Sequence, residues 1–190
     1  MDPITILGAA GSVIGIASFG LQLAKFLNGF IGEYSSANQS YYEILDGIYA
    51  TSDALEQVRG FLEDEKKNFD SEGKLKLFSI EALATIETTA NKCLKIFWRI
   101  EASVLNKSSS DLEEKISKSL ALFHEELRVK KQPPVLKLDP ECKLSRRQRF
   151  KWSFSTSDKL EKYNRQLERL QTTLILMFQV ISIRANLTKP

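Results

Sequence analysis

One histidine and two cysteines serve a chain of 190 residues. His124, Cys93 and Cys142 cannot supply the four nitrogen and sulfur ligands of a usual zinc site. Cys93 falls on an apolar helical face and Cys142 in a basic stretch, so a disulfide framework is not expected and a reducing, intracellular setting fits better. Prolines number five, and only three of the nine glycines lie beyond residue 32. With so few breakers and no strand-turn-strand signature, the chain reads as all-α. The motifs GxxxxGK[ST], HExxH, GxSxG and CxxC are missing, which removes the usual phosphate-loop, zinc-protease, hydrolase and thiol-redox chemistries. No catalytic residue, cofactor site or metal site is expected, and the carboxylates of the middle helices read as solvated faces. Position 2 is Asp and not Gly, which excludes N-myristoylation. The start has no basic residues ahead of its apolar run and makes a poor secretory signal.

Charge is missing altogether from Pro3 to Ala24. A helix over that run is about 33 Å long at roughly 1.5 Å per residue, close to the ~30 Å hydrocarbon core of a bilayer. Glycine is concentrated in the same place, with Gly8, Gly11, Gly15, Gly20, Gly29 and Gly32 within the first 32 residues. Four interior glycines between residues 8 and 20 weaken a helix in water by about 4 kcal/mol relative to alanine. The helix therefore needs its surroundings. Gly8, Gly11, Gly15, Ser18, Gln22, Lys25 and Gly29 recur at alternating spacings of three and four and form one small or polar stripe. The rest of the circumference carries Ile4, Ile6, Leu7, Val13, Ile14, Ile16, Phe19, Leu21, Leu23, Phe26 and Leu27. Gly11 and Gly15 form a GxxxG pair, the pattern that lets helices approach closely in lipid. Two environments suit such a helix: the domain's own bundle, or a membrane after release from it. Gly11→Leu and Gly15→Leu are expected to block close helix approach while leaving the bundle folded.

Asp2 and Pro3 start this first helix, which is expected to reach about Gly32. A second helix is expected over about 36–68, with Tyr41, Leu45, Ile48, Ser52, Leu55, Val58 and Leu62 along one side. A third is expected from about Lys74 to Leu105, with Phe78, Leu83, Ile86, Ala90, Cys93, Phe97, Ile100 and Val104 facing inward. Ser110 and Glu113 read as the capping box of a fourth, which carries Leu112, Ile116, Leu120, Phe123 and Leu127 and stops before Pro133-Pro134. The last helix starts at Ser157 and runs to 187. Leu160, Tyr163, Leu167, Leu170, Leu174, Met177 and Ile181 repeat over three heptads. Residues 173–183 are apolar nearly all round but too few to span a bilayer, so this helix is expected at the centre of the bundle. The whole reads as one domain over 1–190: a hydrophobic N-terminal helix (1–32), a helical body (36–131), a basic connector (132–155) and a C-terminal core helix (157–187).

The net charge of +3 is unevenly spread. Residues 33–127 hold 11 basic and 18 acidic side chains, whereas residues 128–152 hold nine basic and two acidic. Within that basic band Arg146, Arg147, Arg149 and Lys151 alternate with Phe150, Trp152 and Phe154. Such a segment can dock on anionic lipid headgroups, bind nucleic acid, or anchor an extended connector onto the bundle by its aromatics. Anionic lipid is expected as a partner and nucleic acid is not.

The Met1-Asp2-Pro3-Ile4 opening, the charged helical stretch Ala54 to Leu62, the junction Lys151 to Phe154 and the helix Leu167 to Met177 together resemble the fungal HeLo-like N-terminal domain of NOD-like (STAND) receptors. The resemblance covers nearly the whole chain. It implies a helical bundle of about five helices, related to the executioner bundles of heterokaryon incompatibility and necroptosis-like programmed cell death. It also implies an innate-immunity effector, cytoplasmic at rest, that oligomerises on activation, moves to the plasma membrane and permeabilises it in a pore-forming manner through its N-terminal helix. Insertion would fall on Ile4 to Leu27, with Gly8, Gly11, Gly15 and Ser18 as the packing and self-association face. The 190 residues contain no nucleotide-binding domain or amyloid-forming tail, so an upstream receptor supplied in cis or in trans is expected. One rival reading is a protein–protein adaptor or oligomerisation domain of such a receptor, without membrane activity; another is a structural membrane anchor with the first helix permanently inserted.

Overall fold

The computed structural model describes residues 3–32, 39–72, 78–104, 114, 116–118, 121–122, 125 and 157–187. It is an all-α bundle, and among the described residues there is no strand. The helices are α1 (Pro3–Gly32), α2 (Gln39–Glu72), α3 (Ile80–Val104), α4 (seen at helical residues 114, 116–118, 121–122 and 125) and α5 (Ser157–Leu187). Asp2, the Ser110 capping box, Pro133-Pro134, the connector 132–155, His124 and Cys142 lie outside the described residues.

Four long helices take the corners of a square. α1 packs on α2 and α3, α5 packs on the same two helices, and α2 and α3 barely touch each other. α1 and α5 therefore stand diagonally opposite, and the core is the volume the four enclose. The α2 stripe expected from the sequence faces that core in full, from Tyr41 through Leu62. Its outer face is held by the Arg59 guanidinium, which donates to Glu56 Oε2 at 2.6 Å and to Glu63 Oε1 at 2.8 Å. Pairs of this kind at i,i+3 and i,i+4 support a helix by a few tenths of a kcal/mol each, about 0.3–0.5. Phe61 of α2 meets Phe178 of α5 edge to face at 5.1 Å between centroids.

α3 begins six residues later than the sequence reading placed it. The reason is a cap. Ser79 Oγ accepts from the Ala82 N–H at 3.2 Å, and the Ser79 carbonyl accepts from the Leu83 N–H at 3.1 Å. Glu81 adds an acidic side chain to the first turn, where the helix dipole favours it. Just upstream, the Phe78 N–H donates to Glu65 Oε1 at 3.3 Å, and Glu65 is fully buried on α2. The approach to α3 is thus tied to the far half of α2. Phe78 is buried as expected, but ahead of the helix and not on it.

α5 spans the expected residues but is not the central helix, and that expectation is corrected. It stands at a corner. Leu160, Leu167, Leu174 and Ile181, one per heptad, are buried; Tyr163, Leu170 and Met177 are partly buried beside them. Ile175, Leu176, Val180, Ile183 and Leu187 are exposed. A corner helix meets two neighbours, so it buries one stripe, and an apolar residue on its other side stays in water.

Candidate functional site: the N-terminal helix and its cradle

α1 buries Val13, Ile16, Ala17, Phe19, Leu23, Ala24 and Leu27 against α2 and α3. The spacing of Val13, Ile16, Phe19, Leu23 and Leu27 is that of one helical face. What distinguishes α1 is the edge of that face. Ile14 and Leu21 are only partly buried, so apolar residues reach beyond the fully buried stripe, while Phe26 packs partly buried against the core. The charged and strongly polar residues begin at Gln22, Lys25 and Asn28, near its C-terminal end, and Lys25 and Asn28 are exposed. Phe19 stacks against Trp98 of α3 with ring centroids 6.4 Å apart, tilted by 59°.

A close approach in the cradle lies at Gly20. A Cβ there would lie 2.7 and 2.9 Å from two ring carbons of Phe97 and closer still to Ser52 Oγ. Gly20 thus lets α1 touch α3 and α2 at one point, with Phe97 and Ser52 both fully buried. Ser52 Oγ and Ser12 Oγ are buried without a hydrogen-bond partner. Such hydroxyls contribute desolvation cost and no bond, so the seam around α1 is tightly packed but polar in places. A second close crossing joins α2 to α5. A Cβ at Gly47 would meet Asn164 Oδ1 and come within 3.8 Å of Leu167 Cδ1.

The glycine stripe is split by this packing. Gly11 and Gly15 are buried, Gln22 is partly buried, and Ser18, Lys25 and Gly29 are exposed. Leucine at Gly11 or Gly15 must therefore displace packed neighbours, so the expectation that the bundle would tolerate those changes is withdrawn. Overpacking of this kind costs about 1–3 kcal/mol. α1 is helical through Ile4, Ile6, Leu7 and Gly8, but their side chains lie outside the described residues, as do Arg146, Arg147, Arg149 and Lys151.

Sequence reasoning missed Gly20. It lies off the repeating stripe, and only the positions of Ser52 and Phe97 give it a role. Among the described residues no helix is long and apolar enough to cross a membrane, and no group of His, Cys, Asp or Glu could hold a metal ion. Cys93 is buried, and burial pushes its thiol up to about 12. It is an inert core residue at neutral pH. Comparison with protein-family models, with curated proteins and with solved structures finds no match.

Proposed function

We propose that the chain is a membrane-targeting cell-death effector domain, in which α1 leaves its cradle on activation and the domain self-associates on and permeabilises the plasma membrane. The observation that supports this reading is the composition of α1. It is a core helix that also carries Ile14 and Leu21 at the edge of its buried face, apolar and only partly buried. A helix that only had to pack in a soluble bundle would place polar residues there. In lipid the same residues are favoured and the buried glycines become a contact face. Anionic lipid is the expected surface, with Arg146, Arg147, Arg149 and Lys151 contributing about 1 kcal/mol each near headgroups.

The test is release of a trapped dye from anionic liposomes by the purified chain and by the chain lacking residues 1–27. Leakage by the first and none by the second supports the proposal. Because α1 also builds the core, Leu21→Lys is the companion variant: it leaves the buried face intact and should still abolish leakage. Leakage unchanged in Leu21→Lys would sink the insertion role of α1. Reversing charge at Arg146, Arg147 and Arg149 should weaken vesicle binding and leave the helical content unchanged.

One observation favours a second reading, a protein–protein adaptor without membrane activity. Among the described residues most of the exposed large apolar side chains, Ile175, Leu176, Val180, Ile183 and Leu187, lie on α5, the helix diagonal to α1. Self-association in solution with no leakage under any condition would select it. A chain that is insoluble without detergent would instead indicate a permanent anchor.

A further inference from the structure

Four large side chains on the last turns of α5 stand in water: Leu176 is 56 % exposed, Val180 53 %, Ile183 60 % and Leu187 79 %. They follow one another at intervals of four, three and four. That is the spacing of a seam that packs knobs into holes against another helix. It is a different stripe from Leu160, Leu167, Leu174 and Ile181, which face the bundle. Beside it α3 and α5 leave an apolar groove of about 320 Å³, into which Ala82, Ile86 and Met177 project. Ile80, at the start of α3, is 54 % exposed. Single exposed leucines are ordinary, but a contiguous apolar stripe of this size marks a contact surface.

We infer that this seam joins two copies of the chain, α5 against α5 about a two-fold axis. The spacing asks for a helix as partner. The flanks ask for one without a charge signature. Between residues 176 and 187 the only charged side chain is Arg184, and Gln179, Ser182 and Asn186 supply the rest of the polar rim. Nothing there recruits a strongly acidic or basic partner, and one arginine is not the cationic ring an anionic lipid surface needs. An apolar seam rimmed by uncharged polar residues and a single arginine can meet its own copy, which is what a two-fold contact requires. Area agrees. The exposed parts of Leu176, Val180, Ile183, Leu187 and Ile80 come to on the order of 500 Å². With the rim this approaches the ~800 Å² per partner of a stable interface. An antiparallel arrangement keeps the two negative helix ends apart. It sets Leu176 of one copy over Leu187 of the other, at the mouth of the groove, and Val180 over Ile183. The inference does not rest on the membrane reading, because α5 stands at the corner opposite α1.

The experiment is sedimentation equilibrium of the whole chain without detergent, from about 1 to 200 µM, a range that brackets a small interface. A concentration-dependent dimer is expected. Ile183→Glu combined with Leu187→Glu should weaken it at least ten-fold with unchanged circular dichroism, since both side chains are exposed. Orientation is read in a Cys142→Ser background. Oxidation of a mixture of Leu176→Cys and Leu187→Cys chains should give a cross-linked pair, and Leu176→Cys alone should not. A monomer across the whole range, or a dimer indifferent to the two glutamates, overturns the inference. So does a monomer whose binding to anionic vesicles is lost in the glutamate variant, which would give the seam to lipid.

Discussion

Replacing Gly20 by alanine should pry α1 from its cradle. The new methyl would sit 2.7 and 2.9 Å from the Phe97 ring and nearer to Ser52 Oγ, distances that packed side chains do not hold. Phe97 is wholly buried and cannot swing aside. Overpacking of that severity belongs in the upper part of its range, about 2–3 kcal/mol. Alanine is the better helix former by about 1 kcal/mol, so the net loss should be about 1–2 kcal/mol. For a chain of this length, 1 kcal/mol moves Tm by about 2–4 °C. Thermal unfolding followed by circular dichroism should therefore show Tm lower by about 2–8 °C. Gly60→Ala is the control. A Cβ at Gly60 meets nothing within 4 Å, so this variant keeps the propensity gain of up to about 1 kcal/mol and should unfold later than wild type. Ser52→Ala removes one of the three clashing atoms, and the hydroxyl lost has no hydrogen-bond partner to miss it. The double variant Gly20→Ala with Ser52→Ala should then be more stable than the sum of the two single changes implies. A Gly20→Ala protein as stable as Gly60→Ala would refute the argument that α1, α2 and α3 meet at residue 20.

Ser79→Ala should cost about 1 kcal/mol by removing the cap of α3, seen as an earlier urea midpoint with unchanged slope. Glu81 is held below its ordinary value of 4.5 by its own backbone N–H and then by the Ser79 hydroxyl. Its contribution is thus present above the unfolded value and lost as pH falls through the lower folded one; Glu81→Gln should flatten that acid limb, and an unchanged acid titration would remove Glu81 from the cap. Cys93 should fail to react with a disulfide reagent at pH 8 in the native chain and react promptly in urea, because its thiol is raised to about 12 by burial; fast native labelling at residue 93 would contradict the packing of α3. Leu167→Ala, at a fully buried position of α5, should lose about 2–5 kcal/mol. Leu187→Ala, at an exposed one, should stay within about 0.5 kcal/mol in dilute solution, and equal losses would mean that α5 is buried on both sides.

Periodicity carried the bundle because it reports burial directly. On α2 every residue from Tyr41 to Leu62 that recurs by threes and fours is buried, down to Ser52, a polar residue placed there by spacing alone. On α3 the same reasoning found Leu83, Ile86, Ala90, Cys93, Phe97, Ile100 and Val104. It failed at the start of that helix because Phe78 is apolar and buried like the stripe that follows, while the signal that decides the boundary is the hydroxyl of Ser79. On α5 the pattern was ambiguous in a different way. Residues 173–183 are apolar nearly all round, and composition cannot say how many neighbours a helix will have. Leu174 and Leu176 are two residues apart and equally apolar; one is fully buried and the other is more than half exposed. Gly20 was invisible for a related reason. A close crossing is a property of two or three chain segments together, and Ser52 and Phe97 are 32 and 77 residues away from it in sequence.

The square arrangement also bears on how α1 could leave. α2 and α3 scarcely touch, and two helices bridge them, α1 on one side and α5 on the other. Removing α1 therefore leaves a frame held by α5, and does not by itself separate α2 from α3. The cost is still large. Val13, Ile16, Phe19, Leu23 and Leu27 are essentially inaccessible in the bundle, and exposing side chains of this size costs about 1.5–3 kcal/mol each. Five of them come to on the order of 10 kcal/mol, before counting the faces of α2 and α3 that they cover. Thermal opening at that cost leaves far fewer than one chain in a million with α1 free. Insertion into lipid offsets the helix's own share and does nothing for the uncovered sides of Phe97 and Trp98, which meet α1 at Gly20 and Phe19. On the membrane reading, then, a lipid surface alone triggers release of α1 only slowly, and anything that covers the vacated cradle lowers the cost. Adding to pre-loaded vesicles a peptide that reproduces the α1 core face should accordingly speed leakage by the intact chain. If that peptide merely competes and slows leakage, release of α1 is not the limiting step.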